Sequence, residues 1–432
     1  MLRNILLGAG VFAALLSVLL FSGKLSFGSN EEKPMGEVQL WGTIPETTMS
    51  RIVQQFNPEA RDYRITYREI PEATFSEIII EAVANGAGPD LIIAPHQVIL
   101  ANSARVYPFP KSSFSEKAFK DTYVDGAAIL FTPNGAIALP VTIDPLVLFY
   151  NRTLFSKAGF VGPPTYWDEV VNMVQPLTIS DQRGGFTQSA IALGAPNVPY
   201  AKDILMATVG QLGQVPVIRR YPDGGAPYLS VTVNAPAVEG GDVFPLATAA
   251  RFFSQFADAT KNTYTWSQYA SRADNVFVAE KLGMYVGQAS ELATLRARNP
   301  KMDIEMSYLP QTRGYNTFVT GGEMYAIATL ASSRNLTTAM TVQSQLAGGT
   351  YSALIAEGIG ATPALRAYAG TPGLPEVVSR SMLVTKLWID SMPSKSTPLI
   401  ATLLSDIING RSVASDAASV FVARLQDLYT PF

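Results

Sequence analysis

Residues 36–95 read GEVQLWGTIPETTMSRIVQQFNPEARDYRITYREIPEATFSEIIIEAVANGAGPDLIIAP. Apolar residues recur at helical spacing in 46–56 and again in 74–85, whereas 63–70 alternates like a strand. Residues 91–94 form a short, wholly apolar run, which is typical of a strand buried on both faces. The order strand, helix, strand, helix, strand predicts a parallel α/β sheet with crossover helices.

In such a sheet, ligands bind at the carboxyl ends of the strands where the strand order reverses. The loops after Trp41 and Ala94 are therefore the first candidates for a binding site. Thr43 and Glu46 follow the first strand, and His96 and Gln97 follow the third. Glu46 has a simpler interpretation as the start of a helix, and a lone histidine is more often a structural hydrogen-bonding group.

Composition excludes several classes of protein. The chain has 432 residues, of which 47% are apolar and 16% charged, so it can bury the cores of two lobes. Its formal net charge of −3, without a basic run, argues against nucleic-acid binding. The absence of cysteine and the presence of one histidine exclude thiolate chemistry and a multi-histidine metal site. We expect no metal and no cofactor.

The N-terminus predicts a membrane anchor. Arg3 precedes an apolar run from Ile5 to Phe21, about long enough to cross a hydrocarbon core. A cleaved signal peptide, giving a secreted or periplasmic chain, is the alternative, but no Ala-x-Ala type of site follows the run. We interpret residues 1–23 as a transmembrane helix and polar residues 24–35 as a tether, with the rest extracytoplasmic at the plasma membrane.

Four further segments carry motifs that occur in a fixed order. They are GAGPDLIIAPH at 86–96, GAIALPVTIDPLVLFYNRTLFSKAGFVGPPTYWDEVV at 135–171, KLGMYVG at 281–287 and GGEMYAI at 321–327. Taken singly they have structural interpretations: the two prolines before Trp167-Asp168-Glu169 predict the end of a loop and the start of a helix. In this order and spacing, the chain resembles family 1 of the bacterial extracellular solute-binding proteins. These are the receptors of sugar-type ABC importers, including the maltodextrin-binding proteins.

The resemblance implies a periplasmic-binding-protein-like type II fold, with two discontinuous α/β lobes joined by crossover hinge segments. The N-lobe would take residues 36–141 and 319–360, and the C-lobe residues 142–318 and 361–432. The implied function is that of a monomeric receptor, not an enzyme. It would close around a small polar solute, such as a carbohydrate, and deliver it to the permease subunits of an ABC transporter.

The resemblance also suggests ligand contacts. Asp144 and Gln97 match positions where maltodextrin-binding relatives use a glutamate and an aspartate, whereas Ser290 and Asn197 stand about where they place a tryptophan and a tyrosine. Neither Ser290 nor Asn197 can supply an aromatic face for a sugar ring. The predicted ligand-binding residues are Thr43, Glu46, His96, Gln97, Asp144, Asn197, Tyr285, Gln288, Ser290 and Tyr325.

Alternatives to sugar import remain open at this point. Peptides, polyols, polyamines and sugar phosphates are possible ligands, and the chain could be a sensory ectodomain that acts through a signalling partner. A carbohydrate-active enzyme would need two carboxylates across the sugar, for which Asp144 with Glu46 or Glu291 is the available pair. The sequence contains no P-loop, no Gly-x-Ser-x-Gly and no His-Glu-x-x-His.

Overall fold

The structure, a computed structural model, describes residues 34–430 apart from 182–184, 224, 237–240 and 316–317. The predicted anchor at 1–23 and most of the tether lie outside the described residues. Met35, in the last part of the tether, donates its N–H to Thr338 Oγ1 at 3.0 Å. None of the helices in the described residues is both long and apolar enough to span a bilayer.

The strands are β1 Gly36–Gly42, β2 Tyr63–Glu69, β3 Leu91–Pro95, β4 Phe109–Pro110, β5 Phe131–Thr132, β6 Gly135–Ala136, β7 Leu139–Asn151, β8 Ile179–Ser180, β9 Phe186–Ile191, β10 Val217–Arg220, β11 Tyr228–Val231, β12 Leu282–Gln288, β13 Ile304–Tyr308, β14 Gly322–Thr329 and β15 Thr362–Pro363. The α-helices are α1 Glu46–Glu59, α2 Glu72–Ala84, α3 His96–Ala101, α4 Glu116–Thr122, α5 Arg152–Lys157, α6 Trp167–Leu177, α7 Ala201–Gln211, α8 Pro245–Ser254, α9 Ala273–Val278, α10 Glu291–Arg298, α11 Leu336–Leu346, α12 Gly349–Ile359, α13 Glu376–Val384, α14 Pro393–Ile408 and α15 Ala414–Tyr429. Short 3₁₀ helices occupy Ser103–Arg105, Asp125–Leu130 and Arg366–Gly370.

The chain forms two compact units, and both are discontinuous in sequence. Among the described residues, the first comprises those up to Tyr123 together with Leu130–Ile143 and Met324–Leu365. The second comprises the described residues of Val124–Ile129, of Asp144–Glu323 and from Arg366 to Thr430. The sequence predicts the crossovers at 141/142, 318/319 and 360/361.

The sheet of the first unit is built around β1. Strands β2 and β3 pair with β1 in parallel, so that Val38 lies opposite Ile65 and Trp41 opposite Ile92. Strand β14 then pairs antiparallel with β3, with Ile327 opposite Ile93. The predicted parallel β/α/β/α/β order is confirmed by these two parallel pairings, with α1 between β1 and β2 and α2 between β2 and β3 along the chain.

In the second unit β12 lies between β7, to which it is antiparallel, and β9, to which it is parallel. Strand β13 pairs antiparallel with β7, and β8 with β9. The helix predicted after the two prolines begins at Trp167 as expected, because the Glu169 carboxylate accepts the N–H groups of Thr165 and Tyr166 at 2.7 and 3.3 Å.

A single buried side chain joins three segments of the second unit. Gln211 has no exposed surface, and its Oε1 accepts hydrogen bonds from Trp167 Nε1 at 2.9 Å and Thr312 Oγ1 at 3.0 Å. Its Nε2 donates to the carbonyl oxygens of Pro310 and Val319, both at 3.0 Å. All four hydrogen-bonding positions of the amide are used, so this polar group is buried without leaving an unpaired atom.

Candidate functional site

In the first unit, Thr43 and Glu46 follow the carboxyl end of β1, as predicted. Thr43 N–H donates to Ile93 O at 3.2 Å, and its buried hydroxyl has no hydrogen-bond partner among the described residues. Glu46 is exposed and begins α1, where its N–H donates to Glu69 Oε2 at 2.6 Å. The end of β1 therefore presents one hydroxyl and two carboxylates.

Tyr67 is a residue of this region that sequence reasoning missed. Its hydroxyl donates to Ile44 O at 2.5 Å, directly before α1. Burial, and next the Glu69 carboxylate and Tyr325, raise the pKa of Tyr67 well above its ordinary value, so it stays a neutral hydroxyl. The alternation of YRITYREI places Tyr67 on the same face as Ile65 and Glu69, which was the available signal.

His96, Gln97 and Tyr325 lie at the carboxyl end of β3. His96 is 2% exposed and is the first residue of α3, which follows β3 without an intervening loop. Gln97 and Tyr325 are half-buried. Tyr325 is paired with Pro95 in the β3–β14 ladder, so the structure brings it beside the His96 segment. These three predicted residues and Tyr67 thus belong to one end of the first unit's sheet.

In the second unit, Asp144 lies in the buried strand β7 and is 8% exposed. Its Oδ1 accepts the backbone N–H of Ser290 at 3.1 Å. Burial raises the pKa of Asp144 to about 6, and the nearby Glu291 carboxylate adds to the increase, while hydrogen bonds from Ser290 and Ala289 partly oppose it. The structure therefore joins two predicted residues, Asp144 and Ser290, in a direct contact.

Glu291 joins the other predicted residues of β12. Its Oε1 accepts Gln288 N–H at 2.9 Å and its Oε2 accepts the Tyr285 hydroxyl at 2.8 Å. The Tyr285 ring is 2% exposed and packs against Phe149, with ring centroids 6.1 Å apart. Tyr285 is therefore a core ring with a hydrogen-bonded hydroxyl, whereas the half-buried side chains of Gln288 and Ser290 lie at the end of the strand.

Asn197 is fastened to a distant segment of the second unit. Its Nδ2 donates to Ser267 O at 3.3 Å and to Ala270 O at 3.2 Å, and its Oδ1 accepts Trp266 Nε1 at 3.2 Å. Three hydrogen bonds of its amide thus hold the loop before α7 against residues 266–270. Its predicted role as a ligand contact remains a prediction.

Tyr200, three residues further on, is the second residue that the sequence analysis missed. Its hydroxyl lies 3.4 Å from Gln288 Oε1, and its backbone adopts a left-handed conformation with φ 57° just before α7. Such a conformation is uncommon for a large residue and costs free energy. Burial, followed by the carboxylates of Glu291, Glu323 and Asp144, raises the pKa of Tyr200 above its ordinary value. The signal available in the sequence was an aromatic residue at the start of a helix that follows a strand.

These residues of the second unit are rich in hydrogen-bond acceptors. It contains the carboxylates of Asp144, Glu291 and Glu323, together with the Gln288 amide and the Tyr200 hydroxyl. Within the ranges that the structure describes, no three histidine or acidic side chains cluster closely enough to hold a metal ion. The arrangement is suited to binding hydroxyl or amine donors.

The sequence model of one family matches residues 51–375, and that family is described as bacterial extracellular solute-binding protein. The chain belongs to this family. The resemblance found in the sequence is thereby confirmed at the level of the family. No protein with a curated description matches this solute-binding protein in sequence.

Solved structures of the same fold match nearly the whole length of this solute-binding protein. The cyclic α-maltosyl-1,6-maltose binding protein from Arthrobacter globiformis matches with a TM-score of 0.72 and 15% identity, covering 91% of this chain and 98% of its own. The sugar-binding protein MalE from Xanthomonas citri matches with a TM-score of 0.70 and 15% identity, covering 91% and 97%. The GacH receptor of Streptomyces glaucescens, solved unliganded and with acarbose, has a TM-score of 0.67 and 16% identity and covers 91% and 98%. At this level of identity the likeness confirms the predicted α/β solute-binding fold.

Proposed function

We propose that the chain is the substrate-binding component of an ABC importer that captures a sugar or oligosaccharide outside the cytoplasm. The observation that carries the ligand class is the shared fold, since the similar structures named above are described as binding cyclic α-maltosyl-1,6-maltose, sugar and acarbose, respectively. The family match supports a receptor that works outside the cytoplasm. Residues 1–23 would tether it to the membrane, which would keep it near the permease subunits.

One solute would contact residues of both units in this proposal. The second unit would contribute Tyr200, Gln288 and Ser290, with Asp144 and Tyr285 beneath them and Asn197 fixing the preceding loop. The first unit would contribute its predicted residues: Thr43, Glu46, His96, Gln97 and Tyr325. A ligand held from both sides stabilises a closed state relative to an open one, which is the general mechanism of hinge closure.

The charge of the second unit's residues narrows the ligand class. Three carboxylates, those of Glu291, Glu323 and Asp144, act on the Tyr200 hydroxyl and raise its pKa, whereas the nearby Arg272 is already paired with Asp274. A sugar phosphate would place its charge among like charges, whereas neutral sugar hydroxyls can donate to these acceptors. The same carboxylates favour a polyamine as the second candidate, because an ammonium group is attracted to them.

A thermal-shift screen of the full chain in detergent micelles tests the ligand class. The panel contains maltodextrins, polyols, sugar phosphates, polyamines and peptides. A ligand at one hundred times its Kd should stabilise the folded state by about 2.7 kcal/mol. We expect this shift with an oligosaccharide and none with a sugar phosphate. A shift with polyamines alone supports the second candidate, and no shift with any saccharide contradicts the proposal.

Two variants then locate the site. Gln288→Ala and Tyr200→Phe should weaken binding of the oligosaccharide at least tenfold, because each removes a hydrogen-bonding group. The matched control for the tyrosine is Tyr269→Phe, since Tyr269 is 87% exposed and lies in the same unit. Equal losses in Tyr200→Phe and Tyr269→Phe would contradict the assignment.

Import and tethering need tests in cells. Uptake of the radiolabelled sugar should depend on the chain, whereas a sensory ectodomain predicts unchanged uptake and a lost transcriptional response. Removal of residues 2–23 tests the anchor, since the shortened chain should no longer remain with the membrane after alkaline extraction. An enzyme would instead consume the sugar, which chromatography of the incubated ligand detects.

A further inference from the structure

Three hydrogen bonds fix the turn that joins β12 to α10, and two of their acceptors lie in β7. Gln288 N–H donates to Glu291 Oε1 at 2.9 Å, Ala289 N–H to Pro145 O at 3.0 Å and Ser290 N–H to Asp144 Oδ1 at 3.1 Å. Each of the three consecutive N–H groups therefore has a partner, and two of the three acceptors belong to residues 144 and 145 of β7. The conformation of the turn depends on this strand.

Asp144 is the first residue of the second unit after the chain leaves the first at Ile143. On its other side, the backbone of β14 approaches so closely that a Cβ on Gly322 would overlap the Asp144 carbonyl oxygen. The strand position of the carboxylate is thus fixed by backbone packing. A rigid strand that carries a buried acceptor is well placed to define the geometry of a neighbouring turn.

We propose that Asp144 is a positioning residue: its ionised carboxylate fixes the turn that carries Gln288 and Ser290, so that protonation of Asp144 loosens the turn and weakens ligand binding. The effect on ligand binding rests on the proposed function, whereas the effect on the order of the turn does not. Asp144 acts through Ser290 in this assignment and needs no contact with the solute.

The charged groups around Asp144 favour protonation near neutral pH. Burial and the Glu291 carboxylate of α10 raise the pKa of Asp144 to about 6. Two further groups come from neighbouring elements: the Glu323 carboxylate of β14 and the neutral Tyr200 hydroxyl, which precedes α7. The carboxylates of Asp144, Glu291 and Glu323 all act on this hydroxyl. A protonated carboxyl loses acceptor capacity, and the charge-assisted bond from Ser290 N–H becomes an ordinary one.

One cation, Arg272, interacts with the tyrosines of this region. Arg272, before α9, acts on Tyr285 and Tyr200, but it is paired with Asp274 at 3.1 Å. The Asp274 carboxylate therefore largely compensates the charge of Arg272 and weakens its effect on Asp144 and Glu291. Burial and the Glu291 carboxylate raise the pKa of Asp144, and the hydrogen bonds from Ser290 and Ala289 lower it.

Hydrogen exchange of the ligand-free full chain, resolved at the amides of Ala289 and Ser290, tests the proposal. After correction for intrinsic exchange, the protection factor of Ser290 should fall about tenfold between pH 7.5 and pH 5, with a midpoint near 6. In Asp144→Asn the amide oxygen still accepts the bond, so the variant should fold and show no such transition. Protection that does not change with pH in the native chain, or an equal change in Asp144→Asn, would overturn the proposal.

A matched control separates this effect from general acid sensitivity. Asp203 of α7 lies in the same unit, and burial raises its pKa to about 6 as well. Asp203→Asn should leave the transition at Ser290 unchanged. If it abolishes that transition, the turn responds to a different carboxylate and the assignment is wrong.

The affinity for the oligosaccharide found by the screen gives the functional readout. Its Kd should rise about tenfold from pH 7.5 to pH 5 in the native chain and stay constant in Asp144→Asn. If Asp144 touched the ligand directly, Asp144→Asn would weaken binding already at pH 7.5 without altering exchange at Ser290, and that result contradicts a positioning role. Should the screen yield no ligand, the exchange measurement still decides whether Asp144 controls the turn.

Discussion

Lys202 Nζ lies 3.1 Å from Asp390 Oδ2, and the Asp390 side chain has no exposed surface. The other donors to this carboxylate come from the last two helices and the residue before them: Ser396 Oγ at 2.5 Å, Met392 N–H at 3.1 Å and Tyr429 OH at 3.0 Å. Lys202 is the second residue of α7, two residues after Tyr200. The buried pair therefore attaches the helix that presents Tyr200 to the end of the chain.

Lys202→Met should lower the free energy of unfolding of the second unit by about 3 kcal/mol, because it leaves the buried Asp390 charge without its cation. Denaturant unfolding, followed for each unit, measures the change. Lys117→Met is the control, since its ion pair with Asp121 has side chains 86% and 63% exposed and should contribute under about 1 kcal/mol. Equal losses of unfolding free energy in the two variants would show that the buried pair stabilises the protein no more than the exposed pair does.

Glu291→Ala should cost about 1–3 kcal/mol of stability, because the buried Tyr285 hydroxyl loses its acceptor. Tyr285→Phe removes that hydroxyl, so its cost should be clearly smaller in the Glu291→Ala background than in the native chain. A double-mutant cycle by urea unfolding measures the difference. The same cycle with the exposed Tyr269 in place of Tyr285 should be additive, and additivity in both cycles would contradict the coupling.

Asp144→Asn should change how stability depends on pH. The folded pKa of about 6 exceeds the value of about 3.9 in an unfolded chain, so the folded state binds this proton more tightly. The resulting stabilisation is complete below about pH 4 and is lost as pH rises through about 6. Native protein should therefore lose about 3 kcal/mol relative to Asp144→Asn between pH 4 and pH 8.

Thermal unfolding across that range checks this prediction. The control is Asp121→Asn on α4, whose side chain is 63% exposed. Global stability and the order of the turn at Ser290 would change in opposite directions with pH, a trade-off that is common where a binding site buries a charge.

Gly322→Ala should destabilise the second unit by about 1–3 kcal/mol, because the new Cβ would meet backbone atoms of Asp144 and Pro145 that cannot rotate away. Gly162→Ala is the matched control, since no atom lies within 4 Å of its added Cβ. Differential scanning calorimetry compares the two. A Gly322→Ala protein as stable as Gly162→Ala would mean that β7 and β14 can separate at little cost.

The elements between residues 36 and 95 could be predicted because each carries a local pattern. The helix predicted at 46–56 is Glu46–Glu59, and the strand predicted at 63–70 is Tyr63–Glu69. The third strand, predicted at 91–94, extends to Pro95. Periodicity sets these elements locally, and the tertiary structure moves only their ends.

The site was harder to predict because its contacts join residues far apart in sequence. The sequence predicts Asn197 as a ligand contact because it follows an apolar strand, but its amide makes three hydrogen bonds to residues 266–270. The position of the Tyr200 side chain depends on a left-handed backbone conformation, which the residue pattern does not predict. Glu291, considered only as a catalytic acid, holds Gln288 and Tyr285 together through its two oxygens.

The interleaving of the two units in sequence has a consequence for biosynthesis. A nascent chain that ends at Glu323 contains β3 but lacks most of β14, the strand that pairs with it. Likewise, the second unit lacks Asp390 and both long C-terminal helices until the last residues are made. Pairings over such separations form late and slowly. Neither unit should therefore complete its fold until late in synthesis, so the polypeptide should stay unfolded for most of the time it is being made.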